Sequence, residues 1–123
     1  IDSANFYALR KRAQSNLILK NYETAETYLN RLLRINQNEI EGYFLMGNYF
    51  LQKKEYDRAI KDYNVAKQKG FDLPELYYYS GYTNMKLKNL NEACSDLSEA
   101  NKGGIELDRR MQRFFSKCLQ EIN

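Results

Sequence analysis

Two cysteines, Cys94 and Cys118, are the side chains best suited to redox chemistry in this sequence. As free thiols they would act as small hydrophobes, and as a pair they could close a disulfide in an oxidising compartment. They do not make a zinc site, because they lie far apart in the chain and there is no histidine to complete one. The carboxylates that could serve as acid or base are Asp57, Asp62, Asp96 and Glu99. Nothing in their spacing forces two of them together, so they read as solvated helix charges. No glycine-rich phosphate loop follows a strand. The chain is therefore expected to be no enzyme, with no metal, no cofactor and no small-molecule substrate. What remains is recognition chemistry, carried by Arg10, Gln14, Phe44, Asn48, Leu51, Tyr78, Tyr82 and Met85. Tyrosine and arginine combine rigid contact area with a polar handle and are enriched among binding hot spots.

Helices must position these residues. Ala25, Ala59 and Ala93 recur 34 residues apart (59 − 25 and 93 − 59), followed in register by Leu29, Tyr63 and Leu97 and then by Leu32, Ala66 and Ala100. Gly47 and Gly81 repeat at the same step. A period of this length arises when one helix pair cannot bury its apolar face alone and stacks on a copy of itself. The spacing of apolar residues predicts helices over 3–19, 22–35, 39–52, from Tyr56 to just before Gly70, 74–88, 90–101 and 108–122. Pro74 suits the first turn of a helix, and Gly70 supplies a left-handed close. The glycines are expected to let the second helix of each pair approach through Ala59 and Ala93. The last helix has Met111, Phe114, Phe115 and Cys118 on one side and Arg109, Arg110, Arg113 and Lys117 on the other, as a solvating cap would.

These residues resemble the tetratricopeptide repeat family. The shared pattern is Tyr43, Gly47, Ala59, Tyr63 and Ala66 in the second copy and Tyr77, Gly81, Ala93, Leu97 and Ala100 in the third. The resemblance covers nearly the whole chain, as one domain over 1–123 with repeats at 6–39, 40–73 and 74–107 and a capping helix at 108–122. It implies an all-α, right-handed superhelical solenoid of antiparallel helix pairs. Departures from the pattern are Leu9, Tyr43 and Tyr77 at the opening tryptophan position and the missing proline after the first two pairs; they bear on the inter-repeat angle. A 35-residue RNA-reading helical repeat does not fit the spacing.

In this family the first helices of successive repeats line a concave groove. Phe44 and Asn48 lie about 100° round from Tyr43 and Gly47, off the core stripe and beside Leu51. The equivalents are Arg10, Gln14 and Leu17 in the first repeat and Tyr78, Tyr82 and Met85 in the third. The resemblance implies that these face a bound peptide or partner helix; packing between repeats is the alternative for Leu51, Tyr78 and Tyr82. A subset of the family captures a terminal carboxylate with lysine, asparagine and arginine. Arg10, Gln14 and Asn48 match that clamp in part, but Tyr78 and Tyr82 stand where its later cations belong, so carboxylate-tail docking is not expected.

The chain has 123 residues, 43% hydrophobic and 28% charged, within the range of one modest domain. Its charge of +3, from 19 basic and 16 acidic residues, is spread along the helices, so solvation is preferred over nucleic-acid binding for the clusters at 10–12 and 109–117. No apolar run is long enough for membrane insertion, and nothing at Ile1 reads as a signal peptide. Without an opening methionine, the sequence is expected to be a processed chain or part of a longer one. Cys94 and Cys118 fall on facing apolar sides of the third repeat and the cap. The stretch Ala93-Cys94-Ser95-Asp96-Leu97 is similar to the terminal repeats of some Gram-negative cell-envelope tetratricopeptide proteins. A bonded pair implies an oxidising compartment such as the cell envelope, and free thiols a cytoplasmic one. The expected function is protein–protein interaction as an adaptor or scaffold, ahead of a chaperone for an exported protein.

Overall fold

The computed structural model describes residues 3–36 and 40–122. Among them the chain forms seven α-helices: α1 (Ser3–Ile18), α2 (Tyr22–Ile35), α3 (Ile40–Gln52), α4 (Tyr56–Gln68), α5 (Pro74–Lys86), α6 (Leu90–Lys102) and α7 (Arg109–Ile122). Glu39, expected to open the third helix, lies outside the described residues. The helices pair as α1 with α2, α3 with α4 and α5 with α6. By its internal packing the chain divides into two compact units, 1–71 and 72–123. The division falls close to the boundary expected between the second and third repeats.

The repeating stripe is the buried one. Ala25, Leu29 and Leu32 on α2, Ala59, Tyr63 and Ala66 on α4, and Ala93, Leu97 and Ala100 on α6 are all fully buried. Each leucine so buried stabilises the fold by roughly 1.5–3 kcal/mol. In the first unit the core joins Ala13, Leu17, Leu29, Leu45, Met46 and Tyr49, with Phe6, Leu9 and Leu32 as a satellite. In the second it centres on Leu97, Leu107 and Met111.

The glycines admit the facing helix, and the bulkier neighbours close directly on them. A Cβ on Gly47 would stand 2.5 Å from Cε1 of Tyr63, and one on Gly81 would stand 2.8 Å from Cδ2 of Leu97. Their nearest partners are thus the bulky residues four positions after Ala59 and Ala93, not the alanines. The glycine makes room for the large side chain of the facing helix, and the alanine lets that helix come near enough to use the room.

The turns repeat as well. Lys20, Lys54 and Lys88 all adopt left-handed backbone, with φ of 62°, 61° and 62°. Each donates its N–H to the carbonyl three residues back, Leu17, Leu51 or Met85, and the following N–H reaches five back, to Asn16, Phe50 or Asn84. This satisfies the last carbonyls of α1, α3 and α5 and reverses the chain into the next helix. Gly70, at φ 90°, closes α4 by the same device.

Candidate protein-binding faces

In the first unit α1 and α3 carry the candidate residues. Phe44 is half-buried, its ring 6.1 Å from that of Tyr63 and 5.2 Å from that of Phe71. Phe71 follows the closing Gly70, where a helix stop commonly places an apolar residue that folds back; that was the signal for its part, and the repeat pattern alone did not use it. Asn48 is half-buried and accepts a 2.6 Å hydrogen bond on Oδ1 from the Tyr63 hydroxyl. A tyrosine otherwise sealed in the core thereby fixes the amide of a surface asparagine. Leu51 is half-buried and Gln14 exposed. Arg10 of α1 reaches α3, where its Nε lies 3.1 Å from Oε2 of Glu41. Leu17, expected beside Arg10 and Gln14, is instead buried in the core with Ala13 and Leu29. Leu17 shares that cluster with Leu45, Met46 and Tyr49 of α3, so its own side chain is closed to a partner.

In the second unit α5 carries Tyr78, Tyr82 and Met85. All three are half-buried and pack on the Leu97, Leu107 and Met111 cluster, together with Phe114 and Phe115. The Tyr78 ring meets Tyr79 edge-on at 5.3 Å, and Lys86 stands 5.5 Å over the ring of Tyr82. Burial raises the pKa of the Tyr78 hydroxyl, helped by the nearby Asp108 carboxylate, so Tyr78 is a neutral phenol at physiological pH. The strip thus presents aromatic surface whose inner edges belong to the core.

A family model described as anaphase-promoting complex, cyclosome, subunit 3 matches residues 19–100. The chain belongs to this family of tetratricopeptide type. Solved structures extend the likeness over the full fold. The first tetratricopeptide domain of Spaghetti (RPAP3), bound to an HSP90 peptide, superposes with a TM-score of 0.81 at 16% identity, covering 99% of this chain and 98% of that one. The type III secretion chaperone SycD of Yersinia enterocolitica, in complex with a peptide of the translocator YopD, gives 0.78 at 16% identity over 99% and 98%. The TPR2B domain of yeast Sti1, in its Hsp70 complex, gives 0.76 at 15% over 96% and 98%. No curated protein matches the sequence. The fold class is the all-α tetratricopeptide one.

The tetratricopeptide frame also explains two carboxylates that depart from expectation. Asp96 is buried, 5% exposed, where a solvated charge was expected. It accepts hydrogen bonds on Oδ2 from Ser80 Oγ at 2.6 Å and Asn84 Nδ2 at 3.0 Å. One repeat earlier the same three positions are Met46, Phe50 and Asp62. Asp62 is half-buried, and burial pushes its pKa up to about 6. Asp57 and Glu99 are exposed, as expected. The described residues hold no group of three or more His, Cys, Asp or Glu placed to bind a metal ion. Cys94 on α6 and Cys118 on α7 are joined by a disulfide, with Cα atoms 5.8 Å apart. No helix among the described residues is long and apolar enough to cross a membrane.

Proposed function

We propose that this chain is a protein-interaction module that holds a peptide or a partner helix against its first-helix faces and serves as an adaptor or scaffold in a larger assembly. The observations that carry this reading are the half-exposed aromatic and amide side chains on α3 in the first unit and, taken by itself, the aromatic strip on α5 in the second. Phe44, Tyr78 and Tyr82 offer rigid apolar area, and Asn48 is pre-set by the Tyr63 hydroxyl, so little side-chain entropy is lost on contact. Peptides bound to relatives of the same fold support it. The ligand differs from a carboxylate tail, because Tyr78 and Tyr82 replace the cations such a tail needs and Arg10 is engaged by Glu41.

The Cys94–Cys118 bond supports an oxidising compartment such as the cell envelope, and with it the scaffold reading. The likeness to the secretion chaperone favours a second reading, a chaperone for an exported protein. Free thiols in native material would support that alternative. The test of the module itself is site-specific photocrosslinking in the native host. A crosslinker at Gln14 or Tyr82 should capture a discrete protein partner, and one at the exposed Ser95 of α6 should not. Equal capture from all three positions would refute the assignment of the binding face.

A further inference from the structure

α7 carries its charges in the reverse of the order followed by four other helices. α2, α4, α5 and α6 each have an acid in the first turn, Glu23, Asp57, Glu75 and Glu92, and a base in the last, Arg34, Lys67, Lys86 and Lys102. That order complements the helix dipole. α7 has no acid in its first turn, where Arg109 and Arg110 stand, and no base in its last. With Arg113 and Lys117 these arginines occupy a sector of about 100° on the helix. All four are exposed, and among the described side chains none is in an ion pair or over an aromatic ring. Several cations elsewhere are engaged, Arg10 by Glu41, Arg58 by Glu55, Lys102 by Glu99, and Arg12 and Arg31 by the ring of Tyr28, but on α7 all four stand together without a partner.

Among the described side chains these four cations have no partner, they repel one another, and Arg109 and Arg110 also oppose the helix dipole, so they are not what holds α7 in place. Its hold on the second unit comes from the other side, through Met111, Phe114, Phe115 and the Cys118 disulfide, and from Asp108, whose Oδ1 accepts the Met111 N–H at 2.8 Å. We infer that this outer face of α7 docks an acidic segment of a protein partner, at a surface separate from the first-helix faces. Arg109, Arg113 and Lys117 are spaced four residues apart, a rise of about 6 Å per step. That spacing matches carboxylates four apart on a helix or two apart on an extended segment. Three of the four cations are arginines, whose planar fork takes a carboxylate bidentately. A nucleic acid fits less well: the aromatic residues of α7, Phe114 and Phe115, are turned to the core and leave the cationic sector without a stacking surface.

The test uses the full oxidised chain and fluorescence anisotropy with three probes: a fluorescein-labelled peptide of alternating glutamate and alanine, labelled oligothymidylate, and phosphatidylserine-containing vesicles. The expected result is that the peptide binds best and that its affinity falls as salt rises. Arg109→Glu/Arg113→Glu should weaken peptide binding by about tenfold or more and leave the melting temperature unchanged or higher. Lys20→Glu/Lys61→Glu, with the same change in net charge, should leave peptide affinity within about twofold. No peptide binding, an equal loss in both double variants, tighter binding of oligothymidylate or vesicles, or a lower melting temperature on reversing Arg109 and Arg113 would each overturn the inference.

Discussion

Replacing Gly47 by alanine adds a single methyl group, and the structure says what it meets. The new Cβ would lie 2.5 Å from Cε1, 2.6 Å from Cδ1 and 3.0 Å from Cζ of Tyr63. That ring is fully buried and its hydroxyl is tied to Asn48, so it has no free direction in which to swing. Alanine is a better helix former than glycine by about 1 kcal/mol. Overpacking a tight core costs about 1–3 kcal/mol, and a rigid ring at this distance belongs at the upper end. The net expectation is a loss of about 1–2 kcal/mol. At Gly81 the same methyl meets Cδ2 of Leu97 at 2.8 Å, Cγ of Leu97 at 3.1 Å and Cβ of Asp96 at 3.2 Å; the nearest is the end of a flexible chain rather than a rigid ring, so the expected loss is smaller than at Gly47.

The first repeat supplies the control. Its equivalents of Gly47 and Tyr63 are Ala13 and Leu29, both fully buried in one cluster. An alanine opposite a leucine is therefore a pair this fold already accommodates. Gly47→Ala combined with Tyr63→Leu copies that pair into the second repeat. The double variant should be more stable than the two single losses together imply, by at least about 1 kcal/mol. The assay is equilibrium urea unfolding followed by far-UV circular dichroism on the four proteins of the cycle. Additive losses, or Gly47→Ala no worse than Gly81→Ala, would refute the claim that glycine stands there to admit the ring.

Three further outcomes are expected. Asp62, with a folded pKa of about 6 against an ordinary 3.8, favours the fold when protonated, and that contribution, complete below about pH 4, is lost as pH rises through 6. Asp62→Asn should therefore match the wild type in stability near pH 4 and exceed it by about 1 kcal/mol near pH 7, allowing for partial exposure; a difference independent of pH in paired melts would count against it. Asp96→Ala removes the buried acceptor that the Ser80 hydroxyl and Asn84 amide share and should cost about 2–4 kcal/mol in the same urea assay, whereas a change below about 0.5 kcal/mol would mean the cluster is solvated. Reducing the Cys94–Cys118 bond should lower stability by about 2–4 kcal/mol and speed hydrogen exchange in α7 before α1–α4; titration of two thiols in unreduced native protein would remove the premise.

Much of the fold was legible because one period reports it many times. The stripe at Ala25, Ala59 and Ala93 placed the helices to within about two residues, since a residue that recurs at a fixed face must meet the same neighbour in each copy. The flank of that stripe was less legible. Leu17, Leu51 and Met85 occupy one register position, yet Leu17 is core, whereas the other two are half-buried. Periodicity fixes the angle of a side chain about its helix, but whether another helix covers that angle depends on tertiary packing. For Tyr78, Tyr82 and Met85 the covering cluster includes Met111, Phe114 and Phe115 of α7, the single helix that opens a fourth period and has no partner helix of its own.

The polar core was hidden for another reason. Position by position, Ser80, Asn84 and Asp96 look like ordinary helix-surface residues, and each alone would be destabilising where Met46 and Phe50 set the pattern. Only the three together are satisfied, because Asp96 needs two donors and the facing helix provides both. The second repeat has the carboxylate without the donors, and there Asp62 stays partly in solvent with a raised pKa. The same logic governs Ala13 with Leu29, Gly47 with Tyr63 and Gly81 with Leu97, where a small residue on one helix stands opposite a large one on the next and the two are fitted to each other. Read as single positions these substitutions are noise about a repeat. Read as facing sets, they are alternative solutions to the same contact, and the set rather than the residue is the unit that the physics of packing and hydrogen bonding selects.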